Sequence, residues 1–199
     1  MTQTVTETES TTNHRQRLLE GMANAVAAKG YAETTIADIV REAAVSRRTF
    51  YEHFATKAEC LIALYEAASH NALHVLRDAI DPARDWHEQV EKAMHAYFDC
   101  LAQHPVLVRT LFIEILGLGT EGLAARRRVN DEIADFMLQV VNADRNAGAV
   151  PLSRPMAMAI VGGINELVLH AIETGRVAHL LHLVAPAVRL IRAVTQYRA

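Results

Sequence analysis

The stretch Thr34 to Lys57, TTIADIVREAAVSRRTFYEHFATK, constrains the fold of this chain most. It reads as two short helices joined by a tight turn, with a third helix starting just after. Thr35-Ile36-Ala37-Asp38 is a capping box, in which a hydroxyl accepts from the N3 amide and a carboxylate faces the positive helix end. Ile36, Ile39 and Val40 then share one face. Ala43-Ala44-Val45 makes the turn, with Val45 as the expected plug between the two helices. Ser46 is an N-cap for the second helix. Phe50 and Phe54, at i and i+4, point the same way and should pack inward. A second box, Thr56-Lys57-Ala58-Glu59, opens the next helix.

Arg47, Arg48, Thr49, Tyr51 and His53 are then left on the exposed side. Basic and hydroxyl groups at the start of a short helix, with aromatic anchors behind them, are the layout of a recognition helix whose first residues meet base edges in the major groove. Double-stranded DNA is therefore the first partner to consider.

Residues 15 to 65 resemble the DNA-binding domain of the TetR (tetracycline-repressor) family. The matching residues are Gly30-Tyr31, Thr34-Thr35, Ile39, Val45-Ser46, Thr49, Tyr51, His53-Phe54 and Lys57. Two positions depart from the pattern. Ala44 stands where Gly is usual, at a cost if the position needs a positive φ. Arg48 stands where Gly is also common and adds a cation to the reading face. The resemblance implies Tyr51, His53, Lys57 and Thr35 as phosphate contacts. Arg47, Arg48 and Thr49 are the expected base readers, since Arg at guanine is the commonest specific contact.

The 199 residues are 51% hydrophobic, enough for a real core. Alanine and leucine dominate and strand-like alternation is scarce, so the class is all-α, with about nine helices. Residues 1–13 have no apolar core and read as a disordered arm. Residues 14–57 form the helix-turn-helix domain and 58–199 the effector-binding and dimerisation domain. The net charge is −3, while residues 14–57 carry seven Lys/Arg against five Asp/Glu. The excess is small, so specific geometry has to supply what bulk charge does not. No apolar run approaches the roughly 18 residues needed to span a bilayer, so no membrane association is expected. Cys60 and Cys100 read as reduced thiols in a cytoplasm.

Helical periodicity and breakers place helices at about His14–Lys29, Thr56–Ile80, Trp86–Gln103, Val106–Leu116, Leu123–Ala147, up to Thr174, and Leu180–Tyr197. Gly117 to Gly122 is expected to be a loop. Pro186 requires the last helix either to begin later or to kink. Met156 to Ile164 carries no polar side chain, so that helix needs cover all round. A second copy could supply the cover, and so could the core of a monomer. The family resemblance implies dimerisation through the last two helices, in a four-helix bundle. Ile160, Gly163, Leu167, Val188 and Ile191 are the expected interface residues.

The resemblance also implies an effector pocket enclosed by the fourth to eighth helices. Met94, His95, Phe98, Phe112, Phe136, Met137, Asn165 and Leu169 are its candidates, and each is equally a core residue. Asn165, Glu166 and Glu114 are the polar choices, with tying helices together as the other reading.

Other motifs carry less. Gly117-x-Gly119-x-x-Gly122 spells a dinucleotide fingerprint, but no strand precedes it. Arg126-Arg127-Arg128 cannot form one patch, because consecutive helical residues point about 100° apart. Glu66, His70 and His74, and His179 with His182, have metal-holding spacings without a Cys cluster beside them. No catalytic set appears, and no metal or cofactor is expected. The reading is a non-enzymatic, ligand-responsive repressor. It would act in the cytoplasm and on the nucleoid, holding a near-palindromic operator as a homodimer and released by a small hydrophobic effector. A helical enzyme or metal protein with a vestigial DNA domain, and a constitutive DNA-binding protein, are the rivals.

Overall fold

The computed structural model describes residues 3–81, 83, 85–143 and 151–195. Among these residues the fold is all-α, with nine α-helices and two 3₁₀ segments. They are α1 (Gln3–Glu33), α2 (Ile36–Ala43), α3 (Arg47–His53), α4 (Lys57–Ala79), α5 (Trp86–Ala102), α6 (Pro105–Ile113), α7 (Thr120–Ala143), α8 (Arg154–Glu173) and α9 (Val184–Thr195). The 3₁₀ segments are Glu114–Leu118 and Val177–Leu183. The expected helix ends at Ala147 and Tyr197 lie outside the described residues.

The chain forms two compact units, Met1–Ala68 with Arg109–Ala125, and Ser69–Val108 with Arg126–Ala199. The sequence places a single boundary between 57 and 58. The difference has a plain cause: α4 runs unbroken across that point, and the 3₁₀ segment Glu114–Leu118 docks on α1.

In the first unit, α1 buries Leu18, Leu19, Met22, Ala25 and Val26, the stripe its periodicity indicates. α1 starts at Gln3, where composition suggests a disordered arm. Residues 3–13 hold no Gly or Pro, so nothing in them stops a helix from running back toward the N-terminus. Gly21 lets α2 approach closely, since a Cβ there would sit 2.6 Å from the Ile39 carbonyl oxygen. At Gly30 the backbone turns to φ 79° and the helix breaks. The Tyr31 N–H that follows donates to Glu114 Oε2 at 3.2 Å.

In the second unit, α5 packs against the 3₁₀ segment Val177–Leu183 and against α9, and α8 packs on both. Arg154 at the start of α8 pairs with Asp131 and Asp135 of α7. α9 begins at Val184, later than the apolar pattern suggests. That places Pro186 in the first turn, where its missing N–H breaks no helical bond.

The expected loop Gly117–Gly122 is largely helical instead, with only Gly119 between the 3₁₀ segment and α7. Two stretches, Arg154–Glu173 and Val177–Thr195, are long and apolar enough to cross a membrane, each with mean hydropathy 1.5. This corrects the expectation that no segment reaches that length. A search for uninterrupted apolar runs passes over helices whose few charges are widely spaced. Both stretches bury residues among this chain's own helices, including Ile160, Val161, Leu180 and Val188.

Candidate nucleic-acid interface and effector cavity

The helix-turn-helix is built by its caps. The Thr35 hydroxyl accepts from the Asp38 N–H, while the Asp38 carboxylate accepts from the Thr35 N–H and hydroxyl. Lys29 lies 2.6 Å from the same carboxylate and Arg41 3.1 Å from it. The Lys29 and Thr35 contacts hold the Asp38 carboxyl well below the usual carboxylate range. α2 ends on Ala44, at φ 49° and ψ 47° in the left-handed region. The Val45 N–H then reaches back to the Val40 carbonyl at 3.1 Å, and Arg17 Nη2 donates to the Ala44 carbonyl at 2.7 Å. Val45, the expected plug, is only half-buried, whereas Ala43 is buried beside Gly21 of α1.

Ser46 caps α3 by accepting from the Thr49 N–H at 3.0 Å. Phe50 and Phe54 are buried with ring centroids 5.8 Å apart, and the Arg15 guanidinium lies over the Phe54 ring. This pair fixes the rotation of α3. Arg47, Arg48 and Tyr51 are exposed, and Thr49 and His53 half-buried. Arg48 Nε donates to Glu52 at 3.1 Å, one turn on. Burial pushes the His53 pKa down, and His14 and Arg15 push the same way against Glu52.

Thr35 and Lys57, two of the expected phosphate contacts, make hydrogen bonds within the protein. The Thr35 hydroxyl is occupied by Asp38. Lys57 Nζ donates to the carbonyls of Tyr31 at 2.9 Å, Thr34 at 2.7 Å and Ala32 at 3.4 Å, and sits 4.2 Å from the Tyr31 ring centroid. An ammonium has three donors, and these carbonyls fill them. Lys57 thus clamps the corner between α1 and α2. Burial, then Glu121 and Cys60, raise the Tyr31 phenol pKa.

The second unit contains an open-mouthed cavity with about 690 Å³ of empty space, open solvent at the mouth included. Leu76 and Ile80 of the α4 end, and Trp86, Val90, Ala93, Met94 and Tyr97 of α5, form part of the wall. Ile133, Phe136, Met137, Val140 and Val141 of α7, Val161, Ile164 and Asn165 of α8, and Ile191 of α9 complete it. No lining residue is charged. Asn165 Nδ2 donates to Asn130 Oδ1 of α7 at 3.2 Å.

Of the eight expected pocket residues, Met94, Phe136, Met137 and Asn165 line this cavity. His95 is exposed, because it is one step of about 100° around α5 from Met94. Phe98 is fully buried elsewhere in the core, and Leu169 is half-buried outside the lining. Phe112 belongs to the first unit, since α6 ends there.

Residues 18–64 match the family described as bacterial regulatory proteins, tetR family. Over those residues the chain is similar to the DNA-binding domain of TetR-family transcriptional regulators. It is 26% identical over 149 residues to the HTH-type transcriptional regulator EthR of Mycolicibacterium smegmatis, a match covering 70% of this chain and 61% of that protein. The chain thus spans about three fifths of that relative's length. Solved structures share its fold at lower identity. The fatty acid degradation regulator FadR from Bacillus halodurans superposes with a TM-score of 0.74 at 18% identity, covering 89% of this chain and 93% of its own. FadR from Bacillus subtilis, solved in complex with stearoyl-CoA, gives 0.67 at 18% identity, covering 92% and 99%.

On α8 and α9, most of the residues expected at an interface face inward in this chain. Ile160, Val188 and Ile191 are buried in the chain's own core, and Ile191 lines the cavity. Gly163 faces α9, where a Cβ would lie 2.9 Å from the Leu190 side chain, and Leu167 is half-buried. The apolar run from Met156 to Ile164 hides which side faces inward. Met156, Ala159, Gly162 and Glu166 are the outward residues, and open space lies above Gly162. The rest of the cavity wall was accessible to periodicity alone. Trp86, Val90, Ala93 and Tyr97 recur at helical spacing, as do Ile133, Phe136, Met137 and Val140.

Proposed function

We propose that this chain is a ligand-responsive repressor. Two copies hold a near-palindromic duplex through their α3 helices, and a small apolar molecule in the cavity releases them. The observation that carries the reading is the rotation of α3. The buried Phe50 and Phe54 leave Arg47, Arg48 and Tyr51 facing out from a capped helix. A dimer would set two such helices into successive major grooves about 34 Å apart.

Arg47, Arg48 and Thr49 read base edges. Arg48 must first leave Glu52, at a cost of about 0–1 kcal/mol for an exposed pair. Tyr51 and His53, with the N-terminus of α2 at Thr35, meet phosphates. Lys57 acts behind them by fixing the α1–α2 corner. The second copy packs on the outward face of α8 and α9, around Ala159, Gly162 and Glu166. The protein works in the cytoplasm, bound to the nucleoid when it holds DNA.

α4 carries Lys57 at one end and the cavity residue Leu76 near the other. An effector that prefers one position of α4 shifts the DNA-binding equilibrium by that preference, typically ~1–3 kcal/mol.

The test is a gel shift with the intergenic DNA beside the gene, repeated with candidate apolar compounds. Arg48→Ala should lose discrimination between operator and random duplex. Equal loss on both would remove it from base reading. Lys57→Ala should weaken both alike and lower the urea midpoint too. Gly162→Arg should yield a monomer by sedimentation with unchanged circular dichroism, and an intact dimer would rule out the α8 face.

A further inference from the structure

We propose that the cavity's ligand is a neutral, mainly apolar molecule with one hydrogen-bonding group, held by Asn165, and that carboxylates and acyl-CoA thioesters are rejected. This rests on the cavity being the effector site.

None of the sixteen lining residues is charged. An ionised group drawn into such a wall loses its hydration without gaining a counter-charge. Two arginines adjoin lining residues in the sequence, but neither lines the cavity, although Arg192 Nε is buried without a hydrogen-bond partner. Arg192 Nη2 donates to the His87 carbonyl at 3.0 Å and faces Glu91 at 3.8 Å. The Arg77 guanidinium stacks over the Phe136 ring.

Asn165 is the single amide in the wall and is 7% exposed. Its bond to Asn130 uses one N–H of a group that can make four hydrogen bonds. The pair also sets the orientation of the amide, which leaves the rest of it to a guest. A ketone, alcohol or amide satisfies it, whereas an alkane or alkyl chloride leaves it unpaired. Elsewhere the wall is Leu, Ile, Val, Ala, Met and aromatic rings, with the Tyr97 hydroxyl and the Trp86 indole N–H as its other polar groups, which suits a mainly apolar chain or ring system.

The chain's single tryptophan, Trp86, lines the same cavity, so its emission reads occupancy without a label. The probes are 2-undecanone, 1-chlorodecane, decanoate and decanoyl-CoA at pH 8, titrated into the full chain. The ketone should bind saturably, at least ~10-fold tighter than decanoate or decanoyl-CoA. In Asn165→Leu its affinity should fall ~10-fold toward that of the chloride, whose own affinity stays level or rises, as expected for loss of one hydrogen bond. Tighter binding of either acid derivative, or no Trp86 response to any probe, would overturn the proposal. So would an equal loss for ketone and chloride in the variant. Should Asn165→Leu fail to fold, the wild-type ranking of neutral over charged probes still decides it. A gel shift with the bound ketone separates the two readings. Binding without DNA release sinks the effector assignment alone, and DNA release by decanoate sinks the charge rule alone.

Discussion

Ala44 offers a direct measure of the geometry of the DNA-binding head. Its φ of 49° lies where an L-residue other than Gly is strained. The left-handed conformation costs roughly 1–2 kcal/mol for a residue with a Cβ. Glycine escapes that cost but loses roughly 0.5–1 kcal/mol more backbone entropy on folding. Ala44 is exposed, so removing its methyl group sacrifices no core contact. The bonds at this corner, from Arg17 to the Ala44 carbonyl and from the Val45 N–H to Val40, end on backbone atoms that glycine keeps. Ala44→Gly should therefore stabilise the protein by about 0.5–1 kcal/mol. In a chain of this length that raises Tm by ~1–4 °C. Urea titration followed by circular dichroism should move the midpoint up by a few tenths of a molar unit with unchanged slope. In an ordinary helical position the same substitution loses about 0.5–1 kcal/mol, so the two accounts differ in sign. A lowered midpoint would mean that α2 does not end in a left-handed turn, and the placement of α3 would go with it.

Further outcomes follow from neighbouring contacts. Gly21→Ala should cost about 1–3 kcal/mol by overpacking, because the backbone of α2 must move, and duplex binding should fall with it. Asp38 has a depressed pKa, so its contribution is complete above the unfolded carboxylate value of about 3.9 and is lost as pH falls below it toward the folded value. The urea midpoint of wild type should thus drop more between pH 7 and pH 3 than that of Asp38→Asn, and parallel drops would contradict the linkage. Burial pushes the Cys60 thiol up to about 12, while Cys100 is only half-buried. A disulfide reagent should label Cys100 in the native protein and reach Cys60 only in urea; equal native rates would refute the burial of Cys60.

Local chemistry made the head legible in the sequence. The capping box at Thr35, the cap at Ser46 and the inward pair Phe50 and Phe54 each follow from short-range spacing, and the structure has all of them. The strain at Ala44 was readable as well, from a non-glycine residue at a position that wants a positive φ. Lys57 was harder. The family resemblance implies a phosphate contact for it, and only the folded corner brings the Tyr31, Ala32 and Thr34 carbonyls to its ammonium. The cavity was half legible, because its α5 and α7 stripes repeat at helical spacing while their rotation is set by packing. His95 and Phe98 show how a 100° step or a deeper layer defeats the guess. On α8 the pattern fails altogether, since a run with no polar side chain has no readable inside. Ile160 there, and Val188 on α9, are expected at an interface and are core residues.

The segment Arg109–Ala125 belongs to the head although the chain on both sides of it does not. Regulators of this kind invite head-swapping, in which one protein's reading module is spliced to another's sensor at a single crossover. Here any crossover near residue 57 or 68 would part Glu114 from the Tyr31 amide it accepts from. A working hybrid would have to import residues 109–125 with the head, as a second graft. Inheritance of new specificity by simple recombination is correspondingly harder for this chain than its linear order suggests.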